Sequence, residues 1–221
     1  MNASIKDTIQ QLEELFEMFN SKFFGGKLPK AVITVSPDTT RGAYGWCTSW
    51  KAWKESGHES EGYYEINMCA EYLSRPFEEI ACTMLHEMVH LYNLEIGVKD
   101  TSRGGFYHNK KYKEAAEAHA LHVEKNEKYG WHKTTLTAEA KAAVEEYKKA
   151  SGKTAFDLYR ENPKKTVATT SDETESGEDE TETKKSSSRK YVCPCCGISV
   201  RATKEVRVAC FDCGMLMIEE K

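Results

Sequence analysis

Between Pro76 and Glu95 the chain reads as a helix that is apolar over most of its circumference, through Phe77, Ile80, Ala81, Met84, Leu85, Met88, Val89 and Leu91. A helix of that kind belongs in the middle of a domain. This one nevertheless carries His86, Glu87 and His90 in the pattern H-E-x-x-H, and burying unpaired polar groups is costly. Residues four apart share a helix face, so both imidazoles can reach one metal ion. Glu87 is then placed to take a proton from water that the metal acidifies. That is the minimal constellation for zinc-dependent hydrolysis. Ser74 or Arg75 is the expected cap of the helix. Cys82, one turn before His86, reads as a small buried residue and not a ligand.

Two histidines leave a catalytic zinc site incomplete, because such sites usually take three protein ligands. His58, His108, His119, His122 and His132 remain. His108 is the chosen third ligand: it follows the flexible pair Gly104-Gly105 and directly precedes a helix, where a loop can bring it to the metal. His119 falls on the stripe Tyr112, Ala115, Ala116, His119, Val123 and reads as a satisfied core histidine. His58 and His132 have no supporting pattern. An acidic ligand from the following helix, Glu114 or Glu117, is the competitor.

The rest of the first part alternates short elements. Ile5 to Phe24 is an amphipathic helix with Ile9, Leu12, Leu15, Phe16, Phe19 and Phe23 at helical spacing, ended by Gly25-Gly26 and Pro29. Ala31 to Ser36, Ala43 to Trp50 and Tyr63 to Cys69 are strand candidates. A glycine-containing loop, Gly97 to Tyr107, leads to a helix expected over Asn109 to Glu124. A last helix, Ala138 to Ala150, follows the cap candidate Thr137. We read residues 1–161 as one metalloprotease-like domain.

Residues 162–190 are Ser, Thr, Glu, Asp and Lys with hardly any apolar residue, too little to bury a core. They read as a disordered acidic linker. Residues 191–221 form a separate module. Cys193-x-x-Cys196 and Cys210-x-x-Cys213 indicate a tetrahedral zinc site of four thiolates, with Gly197 and Gly214 after the second cysteine of each pair. So few residues cannot build a sufficient core unaided, so metal binding would supply folding energy. Cys195 is the odd thiol. Arg201, Lys204 and Arg207 can meet phosphates, with Tyr191 or Phe211 available for stacking. The competing reading is a solvated, purely structural or protein-binding ribbon.

The net charge of −4 resides in one segment: residues 166–189 carry seven acidic and three basic residues. Bulk charge therefore decides nothing about nucleic acid, since a local basic face can exist on a neutral domain. No apolar run is long enough to span a bilayer. Met1 to Gln10 lacks the charged-then-apolar order of a secretion signal. The expected location is cytoplasmic, with nucleoid association as a variant, and there eight cysteines read as thiols or metal ligands.

Taken together, Phe19-Asn20, Phe23-Phe24-Gly25-Gly26-Lys27-Leu28-Pro29, Gly45-Trp46-Cys47, Glu65-Ile66-Asn67, Thr83 to His90, and His108-Asn109-Lys110-Lys111-Tyr112 resemble the SprT-like metalloproteases, which include the eukaryotic protease Spartan. Tyr191 to Gly214 resembles the zinc ribbon at the C-terminus of many members. One departure is His108-Asn109 where members often have His-Gly, which bears on the loop geometry. The resemblance implies an α+β, zincin-like domain with a small antiparallel sheet and a central H-E-x-x-H helix, plus a small β zinc ribbon. It implies one catalytic and one structural Zn2+, with His86, His90, His108 and the four ribbon cysteines as ligands and Glu87 as the catalytic residue. It further implies peptide hydrolysis on DNA-associated or DNA-crosslinked proteins, with single-stranded or damaged DNA as a partner. A substrate segment is expected to add to the strand Tyr63 to Cys69 if that strand is a sheet edge beside the metal. Tyr107 is the nearest candidate for stabilising an oxyanion. Two other classes compete: a non-enzymatic recruiter built on the ribbon, and a zinc hydrolase of a non-peptide substrate. The acidic linker would suit a mask over the basic ribbon or the active site.

Overall fold

A computed structural model describes residues 3–38, 42–57, 61–161 and 188–220. They belong to two compact units, one within residues 1–170 and one within 171–221. His58 and most of the expected acidic linker lie outside the described residues.

The first unit opens with α1, Ile5–Phe23, capped by the Ser4 side chain on the Asp7 N–H. Its buried stripe is Leu12, Leu15, Phe16 and Phe19. Buried Asn20 fixes the exit, donating to the Leu28 carbonyl and accepting the Leu28 N–H, while Gly25 and Gly26 take the left-handed backbone the reversal needs. Three strands follow: β1 (Val32–Ser36), β2 (Gly45–Cys47) and β3 (Glu65–Cys69). They form a sheet of order β1-β3-β2. The sheet is mixed and not purely antiparallel, because β1 runs parallel to β3 while β2 runs antiparallel to it. The chain lays down β2 first and then returns to insert β3 between β1 and β2. Consequently the condition for substrate addition to β3, that it be a sheet edge, is not met: β3 is the central strand, and the edge beside it is β2.

Helix α2, Phe77–Glu95, is the centre of the unit. It packs against α1, β2 and β3. Ile80, Ala81, Met84, Leu85, Met88, Val89 and Leu91 have no measurable exposure. Each large side chain so buried contributes roughly 1.5–3 kcal/mol, enough to hold polar residues on the same helix in place. Neither Ser74 nor Arg75 caps it. Pro76 occupies the cap without a side-chain hydrogen bond. Arg75 instead lies over the Tyr44 ring and donates to the Thr83 hydroxyl.

Beyond α2 come β4 (Thr101–Ser102), β5 (Tyr107–His108) and α3 (Lys110–Ala118). The expected helix over Asn109 to Glu124 is thus cut short. Ala120 takes a positive φ of 66° and the chain turns into β6, Leu121–Asn126, paired antiparallel with β7, Gly130–Leu136. The apolar stripe continues at helical spacing to Val123, but pairing with the Thr-rich β7 outweighs that local pattern. The second sheet has the order β4-β5-β7-β6. Helix α4, Ala138–Ser151, starts at Thr137, whose hydroxyl accepts the Ala140 N–H.

The second unit is a three-stranded antiparallel sheet with β8 (Arg189–Val192) between β9 (Ser199–Ala202) and β10 (Ile218–Glu220). Among its described residues the buried apolar set is only Tyr191, Cys193, Cys210 and Met217. Among the described residues no helix is long and apolar enough to cross a membrane.

Candidate metal centres

Helix periodicity places His86 and His90 on one face of α2, one turn apart. His108 arrives from β5. Its Nε2 lies 3.1 Å from His86 Nε2 and 3.0 Å from His90 Nε2. All three nitrogens fall within 4.8 Å of one another. Three imidazole lone pairs converging on one point fit a zinc ion, which takes nitrogen donors and leaves a coordination position open in hydrolytic sites.

Several residues outside the expected set hold these rings. The His90 Nδ1–H meets the buried Asp100 carboxylate at 2.7 Å, and Asn93 donates to the same oxygen at 3.0 Å. His86 Nδ1 contacts the Thr134 hydroxyl at 3.2 Å. Such outer partners set the tautomer and ring angle of a ligand histidine. Tyr112, fully buried on α3, packs its ring 4.6–4.8 Å from all three imidazoles. The His108 N–H donates to the Tyr129 carbonyl at 2.9 Å, and His108 pairs with Gly130 across β5 and β7. Gly130 has φ +73°, and a Cβ there would fall 2.1 Å from the His108 carbonyl oxygen. Only glycine fits that approach.

Asn109, the departure from His-Gly, caps α3. Its side chain accepts the Lys111 and Tyr112 N–H groups and donates to the Lys99 carbonyl. Its own N–H bonds the Asp100 carbonyl at 2.9 Å. One residue thereby ties the third histidine to the loop that carries the His90 partner.

Glu87 is 6 % exposed. Burial raises its pKa to about 7, against the opposing pull of His90 and of the Cys47 backbone N–H that bonds its carboxylate. A carboxyl group so placed exchanges a proton near neutrality. Burial also pushes His108 down to about 3 and His86 well below the ordinary histidine value, so both offer free lone pairs. For His90 burial acts in the same direction, but the Asp100 hydrogen bond and Glu87 outweigh it and raise the group.

The remaining candidates stand elsewhere. Glu114 and Glu117 are exposed and pair with Lys110 and Lys113. His119 stacks on Phe24 and bonds the Ala115 carbonyl through Nδ1, as a satisfied packing histidine does. His122 is exposed on β6. Cys82 directs its thiol to the Thr134 carbonyl. Tyr107 lies under the Arg103 guanidinium, with its ring edge against Gly130. His132, without a pattern in the sequence, stands beside the cluster with its ring 6.4 Å from that of His108. Burial lowers its pKa, with the Gly130 carbonyl opposing.

In the second unit the sulfurs of Cys193, Cys196, Cys210 and Cys213 lie within 4.8 Å of one another. Two equivalent turns present them. Cys193 N–H bonds the Ile198 carbonyl and Gly197 N–H returns to Cys193. Cys210 N–H bonds Met215 and Gly214 N–H returns to Cys210. Gly197 and Gly214 both have positive φ. The backbone N–H groups of Cys196 and Cys195 draw the Cys193 thiol down to about 7, toward the thiolate a metal binds. The cluster fits a zinc ribbon. Exposed Cys195 is outside the four. Tyr191 is buried, and its hydroxyl accepts the Val206 N–H, so it is not free to stack on a base. Phe211 is fully exposed, and Arg201, Lys204 and Arg207 are exposed as well.

The family model described as SprT-like matches residues 12–146. No curated protein matches the chain.

Proposed function

Because the chain belongs to the SprT-like family, we propose that it is a zinc-dependent metallopeptidase in which His86, His90 and His108 hold the ion and Glu87 is the general base. The observation that carries this is the convergence of three Nε2 atoms next to a buried carboxylate whose pKa is about 7. A purely structural site has no use for that carboxylate, which argues against a non-enzymatic recruiter. When bound, zinc supplies Lewis acidity, acidifying water and polarising a carbonyl oxygen.

Glu87 accepts a proton from the attacking water at a carboxylate oxygen and later returns it to the leaving amine nitrogen. Asp100 keeps the His90 ring turned so that Nε2 faces inward. Because β2 is the outer strand and Cys47 on it touches Glu87, a substrate segment adds along β2 and not along β3.

For the substrate we propose proteins associated with or crosslinked to DNA. The family resemblance supports this reading, together with a ribbon that exposes Arg201, Lys204, Arg207 and Phe211. The test is proteolysis, including self-cleavage, by zinc-loaded wild type and Glu87→Gln, with and without single-stranded DNA. Cleavage by the wild type alone, increased by DNA, is expected. Full activity of Glu87→Gln overturns the mechanism. Cleavage indifferent to DNA overturns the substrate assignment, and no cleavage with zinc bound overturns the peptidase reading.

A further inference from the structure

Two of the three clustered histidines have an outer partner: Thr134 for His86 and Asp100 for His90. The third does not. His108 Nδ1 is buried with no hydrogen-bond partner among the described residues, and the same holds for His132 Nδ1. Buried polar atoms are nearly always satisfied, so each exception asks for an explanation.

The explanation lies on β7. The register of β7 shifts between Gly130, paired with Asn126, and Lys133, paired with Glu124, so contacts and not strand alternation locate its residues. Gly130 makes room for His108, and Thr134 meets His86. His132 stands between them in sequence, half-buried, its ring 6.4 Å from the His108 ring at a tilt of 41° and 5.2 Å from the Tyr129 ring. One strand thus addresses two ligand histidines, and between Gly130 and Thr134 it carries an imidazole with an unpaired buried nitrogen.

We propose that His132 is the positioning residue of His108, with the His108 Nδ1–H donating to His132 Nδ1. The bond runs through one bridging water, which the 6.4 Å separation of the rings accommodates. It turns His108 Nε2 toward His86 and His90. The inference rests on the metal-binding reading of the cluster and concerns a residue that holds a ligand, not one that touches substrate.

The test is zinc affinity in the full chain, measured by competition with a chelator. The histidine site is identified as the class of zinc that disappears in His86→Ala. His132→Leu removes the acceptor while keeping bulk. His132→Asn puts its Oδ1 near the position of Nδ1. We expect His132→Leu to weaken the histidine site by about 10–100-fold, the usual effect of losing an outer partner, and His132→Asn to recover most of the loss. Unchanged affinity in His132→Leu overturns the proposal. Equal loss in both variants also overturns it, because packing alone would then account for His132. Zinc bound normally without proteolysis defeats the peptidase reading and leaves this readout intact. A wild type with no histidine-site zinc defeats both.

Discussion

Gly130→Ala is the sharpest perturbation the fold allows, because it separates a contact from a backbone preference. Gly130, Gly97 and Gly152 have φ values of 73°, 68° and 71°. An alanine at any of them suffers the same left-handed strain, about 1–2 kcal/mol. At Gly97 and Gly152 an added Cβ meets nothing within 4 Å. At Gly130 it meets the His108 carbonyl oxygen at 2.1 Å, the His108 carbonyl carbon at 3.0 Å and Tyr107 Cε1 at 2.9 Å. Relieving the first contact requires β5 to move by about 1 Å, whereas ligand distances in a metal site tolerate only about 0.2 Å. His108 therefore leaves the cluster. We expect Gly152→Ala and Gly97→Ala to lose about 1–2 kcal/mol in urea unfolding and to keep histidine-site zinc. Gly130→Ala should lose about 3 kcal/mol or more and bind no zinc at that site, while the four-cysteine site stays filled. Zinc stoichiometry with the chelator titration reads this directly. A Gly130→Ala protein that keeps histidine-site zinc at wild-type affinity would refute the claim that this close approach sets the third ligand.

The outer partners and the ribbon give two more tests. Asp100→Asn removes the charged acceptor of His90. Because the folded protein holds His90 above the ordinary value of 6.5, that stabilisation is complete below pH 6.5 and fades as pH rises through the folded pKa. The metal-free variant should therefore lose about 1.5–3 kcal/mol at about pH 6 and less at about pH 9 by urea unfolding, and equal losses at both pH values would contradict the assignment. In the ribbon, four buried side chains cannot sustain three strands without metal. Cys210→Ser should abolish amide-exchange protection across residues 189–220 of the full chain, Cys195→Ser should not, and protection of α2 should be unaffected in both. Retained protection in Cys210→Ser would mean that the ribbon does not depend on its metal.

Elements with a strong period and a clear stop are legible in the sequence. α1, α2 and α4 announce themselves by apolar spacing and by breakers or caps such as Gly25-Gly26 and Thr137. β6 is hidden because Tyr112, Ala115, Ala116, His119 and Val123 fall at helical spacing, although the helix ends at Ala118. A positive φ at Ala120 has no sequence signature, unlike the same conformation at a glycine. The central position of β3 escapes the sequence for a related reason. Strand order is decided by long-range pairing, and alternation within Tyr63 to Cys69 says nothing about which neighbours flank it.

The candidate site divides along the same line. His86, Glu87 and His90 are legible because one helix spaces them, and His108 because it closes a glycine-rich loop ahead of a helix. Asp100, Thr134, Gly130 and His132 come to the cluster by tertiary placement, and three of the four come from β7, the strand that pairs with the hidden β6. A register shift interrupts the period of two in that hairpin between Gly130 and Lys133, and only the fold shows that these residues meet the histidines. The central helix fixes where two ligands stand, and β7 fixes how the imidazoles turn. Substitutions on β7 should thus change zinc affinity while leaving the α2 core intact, and substitutions at Leu85 or Met88 should do the reverse until the domain unfolds.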